Sequence, residues 1–197
     1  MPTIVDVSRL KGILLQPGST WKTIEGEFTK PAVLYKGWVL PLALIGPLCW
    51  LVGTFIFGVG SVVGSYHLPI QSLVTVVVID YVVAVLAIFG LSIITSGLAP
   101  TFGGQKNDVQ GLKVAAYAAT PWLVAGVFQL LPVLWPVSLV VSLYSLFLFF
   151  VGVPIVMKPA KDQALGYGIV AALGAAVIAL IVHAIHIWFT PDFRAGL

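Results

Sequence analysis

The chain has 197 residues, 59% of them hydrophobic and only 9% charged, with a formal net charge of +3. Soluble domains carry about 25% charged residues, so this composition excludes a water-soluble globule, and disorder needs the opposite bias. A helical span of lipid takes about 20 residues, so the length admits a handful of spans and the class is an integral membrane protein.

Residues 1–37 read as an amphipathic prologue. They hold Asp6, Glu25 and Glu27 and no long apolar core, which is not a signal-peptide pattern. Val7, Leu10 and Leu14 fall at helical spacing, Pro17-Gly18-Ser19 interrupts them, and Trp21, Ile24 and Phe28 form a second stripe. The spacing predicts two short helices lying in the headgroup plane.

Five apolar runs follow. The first covers 38–60, with Pro41 at its start and a kink expected at Pro47. An uncharged linker, SVVGSYHLP, leads to the second run, 70–98, which lacks proline and is long enough to tilt or to project from the bilayer. Phe102-Gly103-Gly104 and Lys106 then mark a tight turn needing positive φ. The third run, 112–131, contains Pro121, and the fourth, 137–156, contains Pro154. Lys158, Lys161 and Asp162 form a short charged loop before the fifth run, 166–189.

The expected fold is all-α, a polytopic bundle of five transmembrane helices preceded by interfacial helices. Hydrocarbon offers the backbone no partners, so each span must bond within itself, and the alternation of a barrel is absent. The division is a prologue over 1–37, a membrane domain over 38–190 and an outer tail over 191–197. No internal repeat is evident, so an inverted-repeat transporter core is not supported.

The cations set the orientation. Arg9, Lys11, Lys22, Lys30, Lys36, Lys106, Lys113, Lys158 and Lys161 fall on one side of five crossings, and Arg194 alone on the other. The positive-inside rule puts the N-terminus in the cytoplasm and the C-terminus outside. Cations at span ends leave no case for a nucleic-acid partner. Trp38, Trp135 and Trp188 sit at expected interfaces, whereas Trp50 and Trp122 are expected inside the bundle. Cys49, the only cysteine, permits no internal disulfide and reads as a small buried side chain.

Asp80 is the one acid inside a run, near mid-membrane by helical rise. A lone charge there costs on the order of 3 kcal/mol, so a partner or neutralisation is expected. Ala84 and Ala87 share its face. In the fifth run Ala172, Ala175, Ala176 and Ala179 make a small-residue stripe that His183 and His186 continue, and His67 in the outer linker is a further neighbour of that mouth. Three readings stay open: a packing contact of Asp80, a proton or solute pathway through Asp80 and the imidazoles, or a metal site on His183, His186 and His67, for which the spacing is weak evidence. No phosphate loop, nucleophile elbow or zinc-protease motif is present, and Ser92, Ser96, Ser138, Ser142 and Ser145 have no evident base. No enzyme and no cofactor are expected, and the serines read as interhelical hydrogen-bonders.

Several short motifs recur in a familiar order. They are Leu14-Leu15-x-Pro17 with Thr20-Trp21 and Ile24; Phe102-Gly103-Gly104; Leu112-Lys113-Val114; Ala116-Tyr117-Ala118-Ala119-Thr120-Pro121; Leu143-Tyr144; Val151-Gly152-Val153-Pro154; Met157-Lys158; Lys161; Ala164; and Gly166-Tyr167. Together they resemble the Yip family of Ypt/Rab-interacting five-span membrane proteins, in its bacterial inner-membrane branch. The resemblance implies five helices with a cytoplasmic N-terminus. Eukaryotic relatives act in vesicle traffic and contact Rab-type GTPases, but their Asp-Leu-Tyr-Gly-Pro motif is not in this sequence. The resemblance carries over no activity. The reading that follows is a scaffold whose partners are the lipid bilayer, a protein on the cytoplasmic side and a second copy docked through small-residue faces. The alternative is a small-solute, ion or proton-coupled carrier using Asp80 with His183 and His186.

Overall fold

A computed structural model describes residues 5–61 and 64–189; for 59–61, 64–66, 183 and 186–189 only the backbone is described. Two short helices, α1 (Val7–Leu15) and α2 (Pro17–Gly26), precede five helical segments long and apolar enough to cross a membrane. These are span one (Pro31–Phe57), span two (Ile70–Phe102), span three (Asp108–Leu130), span four (Pro132–Met157) and span five, whose described apolar stretch is Ala164–Val182 within a helix reaching Phe189. The all-α bundle expected from composition is what forms.

Local chemistry explains the ends. Asp6 caps α1, its carboxylate accepting from the Ser8 and Arg9 amides at 2.9 and 3.3 Å. Pro17 sits in the first turn of α2, where a missing N–H costs nothing. Gly103 adopts φ +72° at the turn after span two, as its spacing predicts. Between spans one and two, part of the linker read only as uncharged forms a two-stranded antiparallel hairpin pairing Val59 with Tyr66.

Proline shapes spans one and three. A proline donates no N–H and its ring crowds the carbonyl four residues back. In span one the backbone widens to a π turn over Tyr35–Val39 ahead of Pro41, then breaks at Leu44, three residues before Pro47. Span three breaks at Ala119, two residues before Pro121, and tightens to a 3-10 turn over Gly126–Leu130. Span four runs unbroken through Pro154.

Span three is the axis of the bundle. In its most apolar window 72% of residues are buried, against 17–33% for the other four spans. It is also the least apolar of the five, since a helix sheathed by protein need not match lipid. Glycines set the close crossings around it. A Cβ on Gly126 would lie 2.4 Å from the Gly46 Cα of span one, and a Cβ on Gly111 would lie 2.8 Å from the Ser92 carbonyl oxygen of span two. Spans two and five pack antiparallel, with Gly90 against Ile178 and Gly174 against Ile94.

Candidate functional site

At one end of the bundle the prologue, the loop after span two and the loop after span four meet. The prologue helices fold back onto spans three and four. Ile13, Trp21 and Ile24 are buried against protein, while Phe28, expected to continue their stripe, is 91% exposed. The helical segment that leads into the first apolar run begins at Pro31.

Lys113 holds this arrangement. Counted from sequence as a loop cation, it lies inside span three and is only 2% exposed. Its ammonium donates to the carbonyls of Ile24, Glu25 and Glu27, at 2.8, 3.4 and 2.6 Å. An ammonium has three donors, and all three go to the end of α2, where carbonyls lack intrahelical partners and the helix dipole favours positive charge. Around it, Gln110 donates to the Glu25 carbonyl at 3.1 Å, Arg9 pairs with Glu27, and Lys158 pairs with Glu25 at 2.6 Å. Tyr144 of span four donates to the Leu14 carbonyl at the end of α1, at 2.9 Å. Both prologue helices are thus capped by membrane spans.

An aromatic stack backs the clamp. Tyr117 stands edge-on to Trp21, with ring centroids 6.3 Å apart, and 4.9 Å from Trp38. Trp38 is buried and donates to the Thr120 hydroxyl at 3.1 Å, so it is a core residue and not the interfacial anchor expected. On the far side of the same end, Phe102 stacks on Tyr167 at 5.2 Å, and its carbonyl accepts from the Ala160 amide at 3.0 Å. Gly104 abuts the Met157 carbonyl, and Gly166 leaves room for the Phe102 ring. Tyr167 also donates to the Thr95 carbonyl of span two.

The segments that carried the family resemblance are therefore one assembly: Trp21 and Ile24 from the prologue meet Lys113, Tyr117 and Gly152 from the spans. A family model described as the Yip1 domain matches residues 11–183. The chain belongs to the Yip1-domain family. No curated protein and no solved structure matches it. The matched stretch takes in α2, the five apolar segments, and Lys113 with its three carbonyl partners, so the Lys113 clamp is part of the Yip1 domain itself.

The second polar feature of this Yip1-domain chain lies deeper. A cavity of about 140 Å³ sits among spans one, two, three and five, lined among others by Asp80, Trp122, Gly126, Gln129 and Val182. Asp80 is half-buried and interacts within the protein. Trp122, expected inside the bundle, is 39% exposed and lines the cavity. His67 is exposed in the segment before span two and does not line the cavity. The side chains of His183 and His186 lie outside the described residues, as do that of Trp188 and the whole of Arg194. Among the described residues no group of three His, Cys, Asp or Glu side chains is placed to hold a metal. The serines act between helices in part: Ser145 accepts from the Trp122 amide at 2.9 Å and Ser138 donates to the Ala125 carbonyl at 3.1 Å, whereas Ser142 bonds within its own helix. In span five Ala171 is buried while Ala176 and Ala179 are exposed. Sequence reasoning passed over Gln129, and it counted Lys113 among the orienting cations and in the Leu112-Lys113-Val114 motif without giving it a partner. Each is a strongly polar side chain inside a helical apolar segment, and that was the available signal.

Proposed function

We propose that this Yip1-family chain is a non-catalytic scaffold that organises the bilayer at the cytoplasmic face of a bacterial inner membrane, with its C-terminus outside. The clamp of Lys113 on α2 carries the reading. It makes the prologue a rigid part of the bundle, so whatever the prologue presents to lipid is held at a fixed height and angle relative to five spans.

What it presents suits an anionic surface. Lys11, Lys22 and Lys30, with Lys36 at the adjoining start of span one, are exposed, and none has an acidic partner within 4.0 Å among the described residues. Leu15 and Phe28 stand out beside them, 77% and 91% exposed. Lysines with interspersed large apolar side chains are the pattern of a surface that enters headgroups while attracting anionic lipid. Each lysine near such a surface contributes about 1 kcal/mol, so four contribute roughly 4 kcal/mol.

The test is reconstitution into vesicles of phosphatidylcholine with and without phosphatidylglycerol. The expected result is that the full chain narrows the phosphatidylglycerol vesicles and that replacing all four lysines by glutamine abolishes the effect. Equal vesicle diameters for the wild type and the four-lysine variant in anionic lipid would overturn the proposal.

A further inference from the structure

The cavity beside Asp80 coincides with two interruptions of helical backbone. Span one breaks at Leu44, and Ala43 and Pro47, on either side of that break, both line the cavity. Pro47 has no N–H to give the Ala43 carbonyl, its partner four residues back. Span three changes from α to 3-10 at Gly126, and Gly126 and Gln129 line the opposite wall. Backbone that leaves helical geometry at membrane depth is tolerated where it is buried in protein or lines a polar cavity.

Residues carrying three kinds of oxygen therefore line one space: Asp80 with its carboxylate, Gln129 with its side-chain amide, and Ala43 with a carbonyl that Pro47 cannot bond. Asp80 is the eleventh residue of the helix Ile70–Leu98, so helical rise puts it ~15 Å along the span, at the middle of a hydrocarbon layer ~30 Å thick. A carboxylate offers about four lone-pair sites, so it can accept from a partner within the protein and from a second group at once. The volume suits a few waters or one partly hydrated small ion, since a water occupies about 30 Å³. Gly46 and Gly126 both line the space, and a side chain at Gly126 would strike the Gly46 backbone.

We propose that this cavity is a binding site for a small monovalent cation, sodium ion or hydronium, with Asp80 and Gln129 as its ligands. An unwound carbonyl next to an intramembrane acid is a donor set suited to either ion. The site is distinct from the clamp and from lipid docking. Other titratable residues of the segments around it are Tyr35, Lys36 and Cys49 in span one, Tyr81 in span two, Asp108, Lys113 and Tyr117 in span three, and Tyr167, His183 and His186 in span five.

Trp122 in the cavity wall provides the readout. The full chain in nanodiscs is titrated with sodium chloride against choline chloride at constant ionic strength, and separately with acid in choline alone, following tryptophan emission. The Trp122→Phe variant identifies the responding indole. The expected result is a saturable change with sodium, with acid, or with both, absent in Trp122→Phe, and weakened at least tenfold in Asp80→Asn and in Gln129→Leu. Sodium alone assigns the ion as sodium, and acid alone as hydronium. If Asp80→Asn does not fold, Gln129→Leu decides alone, because it keeps the volume and removes only the amide. No response to either ion in the wild type, or an undiminished response in Gln129→Leu, would overturn the proposal.

Discussion

The indole of Trp21 lies against the bare backbone of Gly152. A Cβ at position 152 would come within 2.6 Å of the Trp21 ring, which is wholly buried. A prologue helix and span four thus touch through a contact that only glycine allows. Gly152→Ala is expected to force the ring out of its slot at a cost of about 1–3 kcal/mol, the usual range for overpacking. Thermal unfolding in detergent should show the loss, with proteolysis around α2 rising first. Unchanged stability together with unchanged proteolysis would contradict the packing.

Trp38 and Thr120 form a buried hydrogen bond that ties span one to span three. A double-mutant cycle of Trp38→Phe and Thr120→Val is expected to give a coupling of about 1 kcal/mol. Additive losses would mean that the two side chains do not act as a pair.

Gly126 and Gly46 bring two backbones together, with no flexible side chain able to yield. Gly126→Ala must push span one from span three, and a destabilisation of about 3 kcal/mol or more is expected. Gly18 has open space around it, so Gly18→Ala is the control and should leave the melting temperature at or slightly above that of the wild type. Equal effects of the two substitutions would show that the crossing is looser than described.

The carboxyl of Asp6 is held below its ordinary value of 3.8, chiefly by the hydroxyl of Ser8 and then by the amide of Arg9, both donating to it. A depressed folded-state value means that the cap stabilises α1 fully above about pH 4 and is lost as pH falls through that lower value. The amide resonances of Ser8 and Arg9 should titrate with a midpoint under 3.8 in the wild type. A midpoint at or above the ordinary value would remove the cap.

Hydropathy made much of this architecture readable. The α-helix of span two, Ile70–Leu98, begins and ends where its apolar run does, because a long, mostly aliphatic helix has no other solvent to choose, and a 3-10 turn then carries the span to Phe102. Pro47 and Pro121 marked breaks that lie within three residues upstream of each. Hydropathy records which residues avoid water, not which neighbour they meet. It therefore assigned Trp21 and Ile24 to the headgroups, Trp38 to an interface and Lys113 to a loop. All four belong to one protein-lined interior, in which lipid-like burial comes from other helices. The Gly103 turn was legible because positive φ is a local requirement. The partners of Lys113 were not, since they lie more than 80 residues away along the chain.

If the prologue acts on lipid as a fixed part of the bundle, Lys113→Met should uncouple the two. Methionine keeps the apolar stem and removes three donations to α2, a loss on the order of 3 kcal/mol. Hydrogen exchange on the reconstituted variant should show α2 amides opening while the spans stay protected. In phosphatidylglycerol-containing vesicles, cryo-electron microscopy should then show wild-type protein narrowing the membrane and Lys113→Met leaving it as large as empty vesicles. A variant whose α2 is freed but which narrows vesicles as the wild type does would contradict the account.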